Sequence, residues 1–462
     1  MSPPNRYSAP PSALALITLA LTLLLAPAAQ ASKAVIGTFG TPAGEGVGRL
    51  FAPNGIAVNR SGAGGVGPGE VYVVDSGNNR IAEFSASGAF VRAFGYDVVA
   101  AGPDNTGVNE QQTLSVDATG GTFTLETTRR TLITPTPGSN VVTGIYAPTS
   151  AFHVGDVVTG GGVPDGTTIT AVGPDSLTLS ANMTNNGAEF RAGETIAPIP
   201  HDATAAELQA ALEALPAIGA GNVVVTDGPG ASLTIEYTGI LAHNDVFHVK
   251  SGSGEQGGVI TADSTALSGA GHTATLATTV PGGGYEVCEG SSPGSACKTA
   301  PKCNRGESAP EACEEASGAG SLNQPNGVAI DQTTGNVYVT DTNVNSFVSN
   351  NRVNVYSAGG AFEGAFGWNV NATSPEEKLQ LCTTATGCQS GSAGGGAGQL
   401  APSTRSLPAV DPSNGHLYVP TDSNHRVDEF APAINPAKEV TGVSFVKAFG
   451  YDVVESGPDN VT

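Results

Sequence analysis

Charged and helix-building residues are scarce in this 462-residue chain. Met occurs twice and Trp once, and charged residues make up 13%, against roughly 25% in an average soluble protein. A helical bundle and a coiled coil are thereby excluded. Lys and Arg total 19 against 41 Asp and Glu, a formal net charge of −22. That balance excludes nucleic acid as a partner, because phosphates are bound by clusters of Lys and Arg. The longest apolar run, Ala13–Leu25, has 13 residues, short of the roughly 20 that span a bilayer. No C-x-x-C or H-E-x-x-H spacing occurs, so no zinc site is legible. What is plentiful is Gly (63) and Pro (31), with enough Val, Ile, Leu and Phe to bury cores. The length allows two or three domains, and the composition points to short strands joined by turns.

Residues 1–31 read as a secretory signal peptide. Arg6 is their only charge, the apolar run follows, and Ala29-Gln30-Ala31 has the small-x-small pattern of a cleavage site. The mature chain is therefore expected to start at Ser32, outside the cell or on its surface, with no membrane span. Six cysteines suit that oxidising compartment. Cys288, Cys297, Cys303 and Cys313 lie in one stretch, and Cys382 and Cys388 in another. Zinc is the alternative, but no His falls within either cluster. Cys382 and Cys388 are expected to pair. The other four allow three connectivities, of which Cys288–Cys297 with Cys303–Cys313 is favoured.

The chain repeats itself. One copy holds PNGIAVN (53–59), EVYVVDSGNNRIAEF (70–84) and GAFVRAFG (88–95). A second holds PNGVAID (325–331), NVYVTD (336–341), NNRVNVY (350–356) and GAFEGAFG (360–367). A third holds LPAVD (407–411), HLYVPTDSNHRVDEF (416–430) and SFVKAFG (444–450). Apolar and polar residues alternate in short runs bounded by Gly, Asn, Asp and Ser, which predicts four antiparallel strands per copy. On Pro53-Asn54-Gly55, Val71–Asp75 and Asn78-Asn79-Arg80, and on their counterparts Pro325-Asn326-Gly327, Asp341 and Asn351-Arg352, the unit resembles the NHL repeat, a β-propeller blade. The third copy departs from the pattern: it lacks Pro-Asn-Gly and has Thr421 in the place of Asp75, while keeping Asn424 and Arg426. The resemblance covers well under half of the chain. It implies a mainly β fold of stacked blades, three of them visible, fewer than the four to eight of a closed ring. The segment 448–462 nearly repeats 93–107, so a fragment of a longer product is the favoured expectation over assembly between chains. Asp75 with Arg80, Asp341 with Arg352, and Arg426 are read as a structural turn clamp rather than a ligand site.

The organisation expected is a signal at 1–31, blade one at 32–108, an inserted β-rich module at 109–280, a Cys-rich linker at 281–317, blade two at 318–370, a linker with a Cys pair at 371–395, and blade three with a truncated linker at 396–462. The insert opens with TLSVDATGGTFTLE (113–126), which reads as a hairpin turning at Gly120-Gly121. It holds one good helix, HDATAAELQAALEALP (201–216). Thr204 and Glu207 form a capping box, Leu208, Leu212 and Leu215 share a face, and Pro216 ends it. Strands are expected at 222–227 and 232–239. A module nested at about 131–190 is read from its Gly-Pro-Asp turns. Both modules resemble repeats of bacterial surface proteins.

Motifs that would carry chemistry fall away in context. Gly62–Gly67 matches G-x-G-x-x-G but precedes a strand, not a helix, so it is no dinucleotide fingerprint. Gly290–Gly294 matches G-x-S-x-G but lies in a Cys-rich loop. His153, His201, His243, His248, His272, His416 and His425 show no metal-binding spacing and read as turn or surface residues. Asp331–Gly335 and Asp411–Gly415 lack the ligand pattern of a calcium loop and read as turns. No cofactor is assigned, although the acid count permits calcium between loops.

The function expected is a binding or scaffold protein at the cell surface or outside the cell, with a protein or surface polymer as partner. A metal-dependent propeller lyase or lactonase and an extracellular sensor part of a receptor are the alternatives. The loop 342–351, with Asn343, Phe347 and Val348, is six residues longer than its counterpart in the first copy. It shares a side with the insert and the cysteines, and is the candidate partner-binding loop. N-terminal sequencing of the secreted protein should read from Ser32. Recovery of an intact Met1 would contradict the signal peptide.

Overall fold

The computed structural model describes residues 47–450 apart from 102–104, 146–148, 150–151, 161, 188, 229, 231, 245, 249–257, 270, 281–282, 284, 290–295, 298–317, 343–348 and 404. The fold is mainly β, built of several sheets that are antiparallel except at one short pair, with one α-helix among the described residues. No helix among these residues is long and apolar enough to cross a membrane.

Each copy of the repeat forms a meander. In the first, Ile56–Asn59, Glu70–Asp75, Arg80–Phe84 and Phe90–Tyr96 lie side by side in chain order. In the second the order is Gly327–Ile330, Val337–Asp341, Arg352–Tyr356 and Phe362–Trp368. In the third it is Ala409–Val410, Leu417–Thr421, Arg426–Ile434 and Val440–Gly450. The first two sheets carry a fifth strand that the repeat pattern does not announce. Tyr285–Glu289 adds to the outer edge of the first, and Leu379–Cys382 to that of the second. Both strands come from linkers and share a pattern, Val287-Cys288 and Leu381-Cys382, which the structure places in the same register: Cys288 opposite Ala93 and Cys382 opposite Ala365.

The sheets stack face to face. Alternation puts Tyr72, Val74, Ile81 and Phe94 on one face of the first sheet. They share a core with Val328, Ile330, Val337, Val339 and Tyr356 of the second. The opposite face of the second sheet, with Tyr338, Val353, Val355 and Phe366, closes on Leu417, Val419 and Phe430 of the third. The innermost strands run close together. A Cβ on Gly55 would lie 2.8 Å from the Gly327 Cα, and one on Gly327 would overlap the Ser406 carbonyl oxygen and lie 2.8 Å from the Leu407 Cα. The Gly of each Pro-Asn-Gly is thus the spacer that lets one inner strand pass the next. Polar contacts cross the same junctions. Gln332 donates to the Val58 carbonyl at 3.0 Å and accepts from the Arg60 N–H at 2.9 Å, and Asn326 donates to the Ser403 carbonyl at 2.7 Å.

The chain between the first two sheets folds into structure of its own. Its two ends are joined: the Val108 and Gly283 backbones exchange hydrogen bonds of 2.8 and 3.0 Å. One sheet there orders Val223–Asp227, Ser232–Tyr237, Gln111–Asp117 and Thr273–Val280. A second is built on the long strand Gly120–Leu132, flanked by Glu189–Thr195 and Gly258–Asp263. The expected hairpin at 113–126 is therefore corrected. Its two halves belong to different sheets, and the chain turns a corner at 118–119. Gly121, at φ +86°, passes hard against the Ala266 carbonyl there. A hairpin and a corner share the same local alternation, and the choice was made by partner strands that come far later in sequence. The helix Ala205–Glu213 has the capping box at Thr204 and Glu207. It lays Leu208 and Leu212 into a core with Leu114, Leu125 and Ile235 from both sheets. A separate core joins Ile133, Val142, Phe152, Val158, Leu177 and Phe190.

The inner-strand spacing predicts that Gly327→Ala costs about 1–3 kcal/mol, the usual penalty of forcing atoms into a packed site. Gly395→Ala has nothing within 4 Å of the new methyl and should stay within about 0.5 kcal/mol. Urea unfolding of the two variants checks the contrast. Equal midpoints would refute the spacer role.

Candidate functional site

Asp75 and Arg80 face each other across the turn between the second and third strands. That turn is held by Asn79 in the left-handed region, at φ 50°, a conformation Asn tolerates better than most residues. Arg80 Nε bonds Asp75 Oδ2 at 2.9 Å, and both side chains are fully buried. The remaining atoms reach for the incoming chain. Asp75 Oδ1 accepts the Phe51 N–H at 2.6 Å, and Arg80 donates to the Arg49 carbonyl at 3.0 Å.

The second sheet sets Asp341 opposite Arg352 in the same register, and each side chain holds the chain through its own partners. Asp341 accepts from the Asn323 N–H at 3.0 Å and from the Asn350 side chain at 2.7 Å. Arg352 donates to the carbonyls of Gly318, Ser321 and Gln389 at 2.9, 2.8 and 3.2 Å. In the third sheet, with Thr421 at the aspartate position, Arg426 turns to Asp428, two residues along its own strand, at 3.0 Å. It also donates to the carbonyls of Gly395 and Gly396 at 2.5 and 2.6 Å. Asp428 was missed from sequence; its signal was an acid on the arginine's own side of the strand. Burial pushes Asp75 and Asp341 up, Asp341 to about 6, against the pull of the neighbouring guanidinium. Burial also lowers Arg352. Desolvation thus works against each charge, and the bonds to backbone groups hold the pair in place.

Cys382 and Cys388 form a disulfide across a Cα separation of 5.4 Å. Cys288 is disulfide-bonded as well, and no described cysteine is free. The Cys297 side chain, Cys303 and Cys313 lie outside the described residues, as do Asn343, Phe347, Val348 and the segment 1–31. Asp331 and Asp411 spend their carboxylates on their own turns, accepting from the N–H groups of Thr333 and Ser413 at 2.8 Å each.

One further group escaped the sequence. His153, Asp156 and Glu194 bring an imidazole nitrogen and two carboxylate oxygens within 4.8 Å of one another. His153 and Asp156 lie in the turn before the strand Val157–Gly160. Glu194 comes from Glu189–Thr195, which pairs with that strand. His153 Nδ1 is 3.2 Å from Glu194 and 3.9 Å from Asp156. The hydrogen bond to Glu194 raises the His153 pKa. Burial lifts Asp156 to about 7. Burial acts in the same sense on Glu194, but the hydrogen bonds from His153, Asp156 and the Ala217 N–H outweigh it and leave Glu194 lowered. The spacing His-x-x-Asp was the available signal. Glu194, 38 residues beyond Asp156, could be placed beside it only by the sheet.

The family model described as NHL repeat matches residues 322–355, the stretch that holds the first two strands of the second sheet, most of the third, and the Asp341–Arg352 pair. No curated protein matches the chain.

Arg352→Met should destabilise the protein by about 3–5 kcal/mol, since it frees three carbonyls and removes the positive charge beside the buried Asp341 carboxylate. Chemical unfolding measures this, and a loss below about 1 kcal/mol would remove the clamp from the account.

Proposed function

We propose that this chain is an exported interaction scaffold, a rigid arc of NHL-type blades that binds protein at the cell surface or outside the cell. One observation carries the reading: equivalent repeat positions differ in burial according to where their blade stands. Phe94 and Phe366 are 0% exposed inside the two junctions, whereas the equivalent Phe449 is 46% exposed. At the other end, Val328 and Ile330 are each 6% exposed, whereas the equivalent Ile56 and Val58 are 64% and 40% exposed. Among the described residues, the third blade thus leaves the positions around Phe449 uncovered, and the first blade leaves its inner strand uncovered at Ile56 and Val58, while Val71, Val73 and Phe84 behind that strand are buried.

The end faces also match in kind. Tyr418, Glu429, Lys447 and Phe449 occupy the positions of Tyr72, Glu83, Arg92 and Phe94, the face that the second blade covers. Lys447 lies 3.3 Å from Glu429, as Arg92 lies 3.7 Å from Glu83. A face of this kind accepts the Ile-Val face of a blade such as the first one carries. A second copy of the chain supplies such a surface through its exposed inner strand at Ile56 and Val58. Asn343, Phe347 and Val348, expected from sequence to form a partner-binding loop, belong to the same reading as contacts for a further partner. The segment 1–31 and the oxidised cysteines support the exported setting.

Sedimentation velocity of the mature chain should show a concentration-dependent dimer. Phe449→Asp and Val58→Asp should each weaken it by about tenfold or more, with unchanged circular dichroism. A strict monomer at about 100 µM, where standard-sized interfaces associate, would overturn the second copy as occupant. So would a dimer indifferent to both changes.

A further inference from the structure

We infer that His153, Asp156 and Glu194 form a binding site for one divalent transition-metal ion, zinc in the first place, in the structure between the first two blades. Asp156 divides its carboxylate between two tasks. Oδ2 accepts the His153 N–H at 2.9 Å and so shapes the turn. Oδ1 is buried and, like Glu194 Oε1, meets only other members of the group, with no donor from the rest of the protein. The Asp156 side chain is only 5% exposed and that of Glu194 10%. Two buried carboxylate oxygens and one imidazole nitrogen turned toward one another, with no donor from outside the group, leave a cation as the natural complement.

The spacing fits. Ligands about 2.1 Å from a tetrahedral zinc ion lie about 3.4 Å from one another. His153 Nδ1 stands 3.2 Å from Glu194 and 3.9 Å from Asp156. The framework is held from outside the group: Glu194 Oε2 accepts the Ala217 N–H at 3.0 Å, and the Asp156 carbonyl accepts the Ile169 N–H at 3.0 Å. One nitrogen and two carboxylates suit zinc or a neighbouring transition metal better than calcium, which takes six to eight oxygens. Three protein ligands leave a coordination position free. It opens on a cleft of about 190 Å³ lined by Thr127, Arg129, Ala217 and Leu241. A water molecule or a small anionic group, the latter facing Arg129, is the ligand such a position would take.

The test uses the full mature chain with its disulfides intact, stripped with EDTA and titrated with Zn2+ by calorimetry. The bound metal is counted by mass spectrometry after dialysis. One ion per chain is expected, with affinity reduced about tenfold or more by Glu194→Gln and by His153→Ala. Thermal unfolding in EDTA controls for folding, and Glu194→Gln keeps the side-chain volume should His153→Ala fail to fold. Zinc retained at full stoichiometry in both variants would overturn the site. So would no zinc bound by the wild type, or calcium bound as tightly as zinc.

Discussion

A sheet with apolar side chains on both faces must be covered on both, and this constraint organises the blades. Alternation along Glu70–Asp75 sends Val71 and Val73 one way and Tyr72 and Val74 the other. Neither set can be left in water without cost. Stacking sheet on sheet meets the requirement once for each junction, and it needs the inner strands to pass closely. Gly55 and Gly327 provide that passage. The Asp–Arg clamp follows from the same arrangement. A chain that arrives from a linker must be tied to the blade it begins, and buried donors and acceptors at the turn capture its backbone. The cost of burying the charges is visible in the raised Asp341 and lowered Arg352.

The same geometry explains why so much chain can be inserted between two blades. The insertion departs and returns at Val108 and Gly283, which are hydrogen-bonded to each other, so the blades meet only a short connection. Folding inside the insertion draws on its own cores, one under the helix and another around Phe152 and Phe190. Insertions are tolerated where the flanking backbone stays paired and few contacts are disturbed. The fifth strands serve a related purpose. Tyr285–Glu289 and Leu379–Cys382 pair with the outermost strands Phe90–Tyr96 and Phe362–Trp368. They cover edges that would otherwise present unpaired backbone.

Much of this was legible residue by residue. Thr204 and Glu207 identified the helix start because a cap is a contact between near neighbours in sequence. Asp75 and Arg80, like Asp341 and Arg352, could be set opposite each other because a turn fixes register. Asp428 was passed over because the repeat put attention on the Thr421 position, while Arg426 found its acid along its own strand. The corner at 118–119 was misread as a hairpin because its partner strands lie at 189–195 and 258–263, beyond the reach of any local pattern.

From sequence alone came the strand periodicity, the number of visible blades, the turn clamps and the helix, all set by steric and hydrogen-bonding preferences within a few residues. Tertiary structure decided which face covers which, where linker strands dock, and that His153, Asp156 and Glu194 meet. Those outcomes depend on distances between segments far apart in the chain. Such distances follow from how whole sheets satisfy their apolar faces and backbone groups, which no short stretch of sequence specifies.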